Sequence, residues 1–119
     1  MRRTERIYRE NVALVADRLD LVRPGWINRV DLQRLRQIDG NNCVVAQAFG
    51  GGLVGYRIGR KRLQKMTGRL PRRQWMTIYP PPWRDALCTE IWRREIRRRR
   101  VEVEAARTPQ PRGLEGVLR

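Results

Sequence analysis

The hydrophobic pattern along the chain is helical almost throughout. Tyr8, Val12, Val15, Leu19 and Val22 recur at steps of 4, 3, 4 and 3, which places them on one face of a helix over residues 4–22. Arg6, Arg9, Glu10, Asp17 and Arg18 fall off that face, Thr4 is positioned to cap the helix, and Pro24-Gly25 stops it. Trp26 comes next, at the corner, where an indole plugs the joint between two elements. Asp31 reads as the cap of a short helix with Leu32, Leu35 and Ile38 turned inward, and Asp39-Gly40-Asn41-Asn42 is dense in turn-forming residues.

The next run, Cys43-Val-Val-Ala-Gln-Ala-Phe49, has one polar side chain, Gln47. A stretch so apolar cannot face water all round, so it is expected to be the buried central helix, capped by Asn42 and ended by Gly50-Gly51-Gly52. Those glycines lack the Gly-Lys-Ser/Thr ending of a phosphate-binding loop. Leu63 and Met66 anchor a short helix over 60–66, and Gly68 and Pro71 break the helical pattern beyond it. Trp75-Met-Thr-Ile-Tyr79 is β-prone and reads as one short extended segment. Pro80-Pro81-Pro82 is a stiff spacer, with Pro82 suited to the first position of a last helix over 83–105. Leu87, Cys88, Ile91, Trp92 and Ile96 form its inner face; beyond them the stripe fails, so the second half should project into solvent. The expectation is a mainly α fold: four or five helices around the central 43–49 helix, with the 4–22 and 83–96 helices packed on it. Residues 1–106 form one domain with a projecting basic C-terminal helix, and 107–119 read as a disordered tail.

Charge changes the picture. The 119 residues carry 27 basic and 12 acidic side chains, a net +15, with no histidine; Lys61 and Lys65 are the lysines and the rest are arginine. GC-rich codon usage explains part of the preference for arginine over lysine, but not the excess positive charge, which points to an acidic partner. The basic residues fall into two clusters. Arg57, Arg60, Lys61, Arg62, Lys65, Arg69, Arg72 and Arg73 form one, with no acid among them. Arg93, Arg94, Arg97, Arg98, Arg99 and Arg100 form the other, on the last helix. Tyr56, Trp75 and Tyr79 are interleaved with the first and are the candidates for base stacking, with Trp83 just beyond them.

Other chemistries are disfavoured. Without histidine the commonest general base is missing, and Asp17, Asp20, Asp31, Asp39, Asp85 and Glu90 read as caps or surface charges, so no catalytic residue is expected. Two cysteines, Cys43 and Cys88, both in apolar surroundings, read as buried free thiols in a reducing compartment, and no metal or cofactor site is expected. No run approaches a membrane span, and the basic N-terminus lacks the apolar core of a signal peptide. These features imply a cytoplasmic, non-enzymatic protein binding nucleic acid. The alternative is an adaptor whose cationic face docks on an acidic protein. No helix-turn-helix, zinc-finger or RRM signature is visible, and oligomeric state is open.

Pro24-Gly25-Trp26, Val30-Asp31-Leu32, Leu35 and Cys43-Val-Val-Ala-Gln-Ala-Phe-Gly50, then Tyr56 and Gly59 and a late Leu87…Trp92…Ile96, resemble a family of small proteins of actinobacteria and their bacteriophages. The likeness spans residues 12–59 well and 87–96 loosely. This chain departs from the family pattern in 60–82 and in its arginine run. The resemblance implies phage or prophage origin, a bacterial host cell and a compact helical fold. It implies no activity, since none is established for that family.

Overall fold

The computed structural model describes residues 2–107. Five α-helices succeed one another: α1 (Arg2–Val22), α2 (Val44–Ala48), α3 (Gly52–Thr67), α4 (Arg72–Ile78) and α5 (Asp85–Arg107). Short 3-10 turns cover Trp26–Asn28 and Pro82–Arg84, and there is no strand among the described residues. The expected mainly α fold is the observed one. The expected tail lies outside the described residues from position 108 onward, while Arg107 still belongs to α5.

Tyr8, Val12, Val15 and Leu19 are buried as their spacing requires, joined by Ala16. Val44, Val45, Ala46 and Ala48 of α2 are wholly buried, so the apolar run does lie inside. The helix with most neighbours is nevertheless α1, which packs against α3, α4 and α5, while α2 lies mainly against α3. A helix of 21 residues has room on its buried side for three partners; one of five residues does not. Trp26 is fully buried at the corner after α1, edge-on to Trp92 of α5 with ring centroids 6.0 Å apart. Cys88, Ile91, Trp92 and Ile96 of α5 are buried beside it.

Four local expectations are corrected. The helix α1 begins at Arg2, so Thr4 sits inside its first turn rather than capping it. Asp31 starts a turn, not a helix: its Oδ1 accepts the Gln33 N–H at 2.9 Å, and that local bond competes with helix formation. The cap of α2 is Cys43, whose Sγ accepts the Ala46 N–H, in place of Asn42. The 75–79 segment is the end of α4 and not extended; Ile78 and Thr77 are buried and Trp75 is half-buried, so tertiary packing overrides β-propensity.

The short 60–66 helix is part of a 16-residue one. Gly50, Gly51 and Gly52 all have positive φ (103°, 90° and 70°) and turn the chain sharply from α2 into α3. The return brings α3 so close to α2 that a Cβ on Gly55 would stand 2.5 Å from the Ala46 carbonyl oxygen. Buried Gly55, Gly59 and Leu63 form a narrow inner stripe, and the rest of α3 is largely left to solvent.

Candidate nucleic-acid interface

The two basic clusters have different surroundings. Every arginine of 93–100 is engaged with the body of the protein or with neighbours on α5. Arg93 donates to the carbonyls of Leu32 (3.0 Å) and Leu35 (3.1 Å) and lies near Glu90. Arg94 pairs with Glu5 and Glu90, and Arg97 with Glu90 at 4.0 Å. Arg98 pairs with Glu95 and Glu102. Arg100 donates to the carbonyls of Ile27 and Val30, closing the chain after the 3-10 turn.

Arg99 is well enclosed, its side chain only 12% exposed. It reaches Asp17 at 2.8 Å, Asp20 at 2.6 Å and Glu95 at 2.6 Å. Burial works against its charge, but the hydrogen bonds to Asp17 and Glu95 outweigh that, and its pKa is raised. Asp20 also accepts the indole N–H of buried Trp26 at 2.7 Å, so α1, the corner and α5 are tied at one point. Docking of α5 therefore continues through Arg100; from Val101 to Arg107 the helix is exposed, which is where it projects.

The 57–73 cluster is the reverse. Arg57, Lys61, Arg62 and Lys65 are exposed along α3, Arg69 lies on the link to α4, and Arg72 and Arg73 open α4. None of these seven, nor Arg60, stands within 4.0 Å of a carboxylate among the described residues, and no acid occurs in sequence between Asp39 and Asp85. Arg60, half-buried, is different again. Its guanidinium carbon stands 5.9 Å from the centroids of both the Tyr56 and the Trp75 rings, tying α3 to α4 by cation–π contact. Tyr56 and Trp75 are half-buried and pack against the core, and burial raises the Tyr56 pKa. Of the three stacking candidates, Tyr79 alone is exposed, at 52%. Trp83, next to them in the chain, is 78% exposed.

Two arginines have structural roles that the sequence does not signal. Arg18 donates to the Thr67 hydroxyl at 2.8 Å and to the carbonyls of Thr67 and Gly68, so it closes the C-terminal end of α3. Arg23 does the same for α2 through the Ala48 carbonyl and lies over the Phe49 ring. Their positions in a helix and at its end carried no signal of this, because the carbonyls they meet are far along the chain.

Each of the acids considered for catalysis has a partner, Asp31 the N–H of Gln33 and Arg34, and Glu90 the arginines at 93, 94 and 97. Asp17, Asp20 and Glu95 hold Arg99. Asp85 accepts from the Ile38 N–H and from Arg36, and Asp39 from Asn41 and Asn42. Cys43 and Cys88 are buried free thiols, and burial pushes the Cys43 pKa up to about 11 and that of Cys88 higher still. Among the described residues there is no cluster of three potential metal ligands, and no helix is long and apolar enough to cross a membrane. No family model, curated protein or solved structure matches the chain.

Proposed function

We propose that this chain is a small, basic, non-enzymatic accessory protein that binds nucleic acid through α3, the link after it and the start of α4. The observation that carries this reading is the contrast between the two clusters. Each arginine of 93–100 has a carboxylate or carbonyl partner, although Arg94, Arg97 and Arg98 stay more than half exposed, whereas seven exposed cations from Arg57 to Arg73 have no carboxylate within 4.0 Å among the described residues. Cations left unpaired on one surface repel one another, and a polyphosphate backbone relieves that repulsion while releasing its own counterions. The occupied carboxylates and the absence of histidine support a binding role over a catalytic one. Phage or prophage origin and the cytoplasm of a bacterial host rest on the resemblance of residues 12–59 and belong to the same proposal.

The test is to replace Arg57, Lys61, Arg62 and Lys65 together by Gln. All four are exposed and unpaired, so the melting temperature should stay near that of the wild type. The log–log salt slope of binding to random duplex should become shallower by about 3 to 4. An unchanged slope would remove this surface from the interface.

One observation favours a second reading. Leu53, Val54 and Ile58 are exposed on the same helix, and Val54, Ile58, Lys61 and Lys65 keep helical spacing on one side of it. An acidic host or virion protein with an apolar centre would match that face. Under this reading Val54→Asp abolishes capture of the partner, and binding to random DNA is weak with a shallow salt slope.

A further inference from the structure

Two clefts meet at Arg72. One, of ≈ 550 Å³, runs from Arg69 past Pro71 to Trp75. The other, of ≈ 410 Å³, lies between Arg72, Met76, Tyr79 and Trp83, with the Pro80–Pro82 run along it. Arg72 lines both, so a cleft bearing Arg69 and Arg72 adjoins one bearing Tyr79 and Trp83.

The aromatic end is unlike the rest of the molecule. Trp26 and Trp92 are fully buried, while the Trp83 indole is 78% exposed and forgoes the gain that burial would bring. Its backbone is stiff: Pro80, Pro81 and Pro82 precede it, with Pro81 at φ −63°, and Pro82 opens the 3-10 turn that carries it. A stiff backbone under an exposed ring leaves only the side-chain torsions to be ordered when a flat group stacks on it. The carboxylates closest in sequence to the cleft residues are already occupied. Asp85 is held by Ile38, Thr89 and Arg36, and Asp39 by Asn41 and Asn42.

We infer that the Tyr79–Trp83 cleft is a stacking site for the bases of single-stranded nucleic acid, with Arg72 and Arg69 taking the flanking phosphates. This rests on the nucleic-acid reading above and narrows it. A duplex hides the faces of its bases, and only an unpaired strand offers one to an indole. A proline-rich peptide would also suit a Tyr-Trp-Pro surface, but it supplies no anion for Arg69 and Arg72. The half-buried pair Tyr56 and Trp75 is not the platform, because Arg60 already lies over both rings.

The experiment uses the full chain with labelled oligodeoxythymidylate, oligouridylate and random duplex at about 0.15 M salt. Trp83→Ala should lower affinity for the single strands about 5- to 100-fold and leave duplex affinity within about twofold. Tyr79→Ala should act in the same direction, and Trp83→Phe should keep most of the single-strand affinity. Both side chains are exposed, so an unchanged melting curve certifies the fold of each variant. Loss on deoxy- and ribo-oligomers alike marks the site as reading base faces; loss on one only assigns that polymer. If the wild type binds both strand forms and Trp83→Ala binds single strands as well as it does, or loses both forms equally, the cleft assignment is wrong and the wider reading stands. If the wild type binds a proline-rich peptide through Trp83 and no single strand, the cleft is a peptide site. If it binds no nucleic acid at all, the wider reading and this inference fail together.

Discussion

Gln37 presents both ends of its amide to the backbone. Its Oε1 accepts the Val44 N–H at 2.7 Å, and its Nε2 donates to the carbonyls of Thr77 (2.8 Å) and Ile78 (3.2 Å). That wholly buried side chain ties the irregular 31–42 segment to α2 and α4, and the backbone N–H of Gln37 adds α5 through the Thr89 hydroxyl. Gln37→Ala would strand the Val44 N–H and leave a void. We expect a loss of about 2–4 kcal/mol, read as a lower urea midpoint with an unchanged m-value. A loss under about 0.5 kcal/mol would mean that water replaces the amide. Periodicity reveals the buried faces of α1 and α5, Tyr8, Val12, Val15 and Leu19 and then Cys88, Ile91, Trp92 and Ile96, because a helix face repeats; it does not mark buried Ile27, Leu70 or Ile78, and it places Met66 inside, where the structure leaves it 62% exposed. It could not reveal Gln37, since a buried amide in a loop has the same composition signal as an exposed one. Gln47 was visible as the odd polar residue of an apolar run, but not its use: it pairs with the backbone of Asp31 and Asn42 and fastens the loop over α2. Arg99 was legible as charge, and its partners Asp17 and Asp20, on α1, were not.

The helices themselves were mostly legible. α1 and α5 have long stripes bounded by prolines, and the three glycines marked the turn between α2 and α3. The 31–38 and 75–79 segments failed because short apolar runs do not distinguish helix, strand and turn by period. The N-terminal half of α3 was missed because glycine is a poor helix former, and here it is used for close approach. At Gly55 that approach is to backbone, the Ala46 carbonyl oxygen, which cannot swing aside. Gly55→Ala should therefore destabilise by about 1–3 kcal/mol, even though alanine gains up to about 1 kcal/mol in helix propensity. Thermal unfolding of the variant measures this, and a raised melting temperature would show that α2 and α3 can separate without loss.

On the scale of the whole molecule, charge is sorted. Residues 57–119 carry +12 of the net +15, yet among the described residues the structure separates the 93–100 arginines, each with a carboxylate or carbonyl partner, from the 57–73 cations of α3 and α4, which have no carboxylate within 4.0 Å. Composition alone weighted both clusters alike, because it cannot say which guanidinium meets a carboxylate after folding. In the proposed function the 57–73 cations meet phosphate. The affinity of the wild-type chain for random duplex and single strands, taken across a range of salt concentrations, bears on that most directly. Dissociation constants tighter than about 10⁻⁴ M are expected at about 0.15 M salt, with a log–log slope on duplex of about −4 or steeper, from five or so phosphate contacts. Affinities weaker than about 10⁻⁴ M for both forms, with a flat salt dependence, would contradict phosphate binding by this surface.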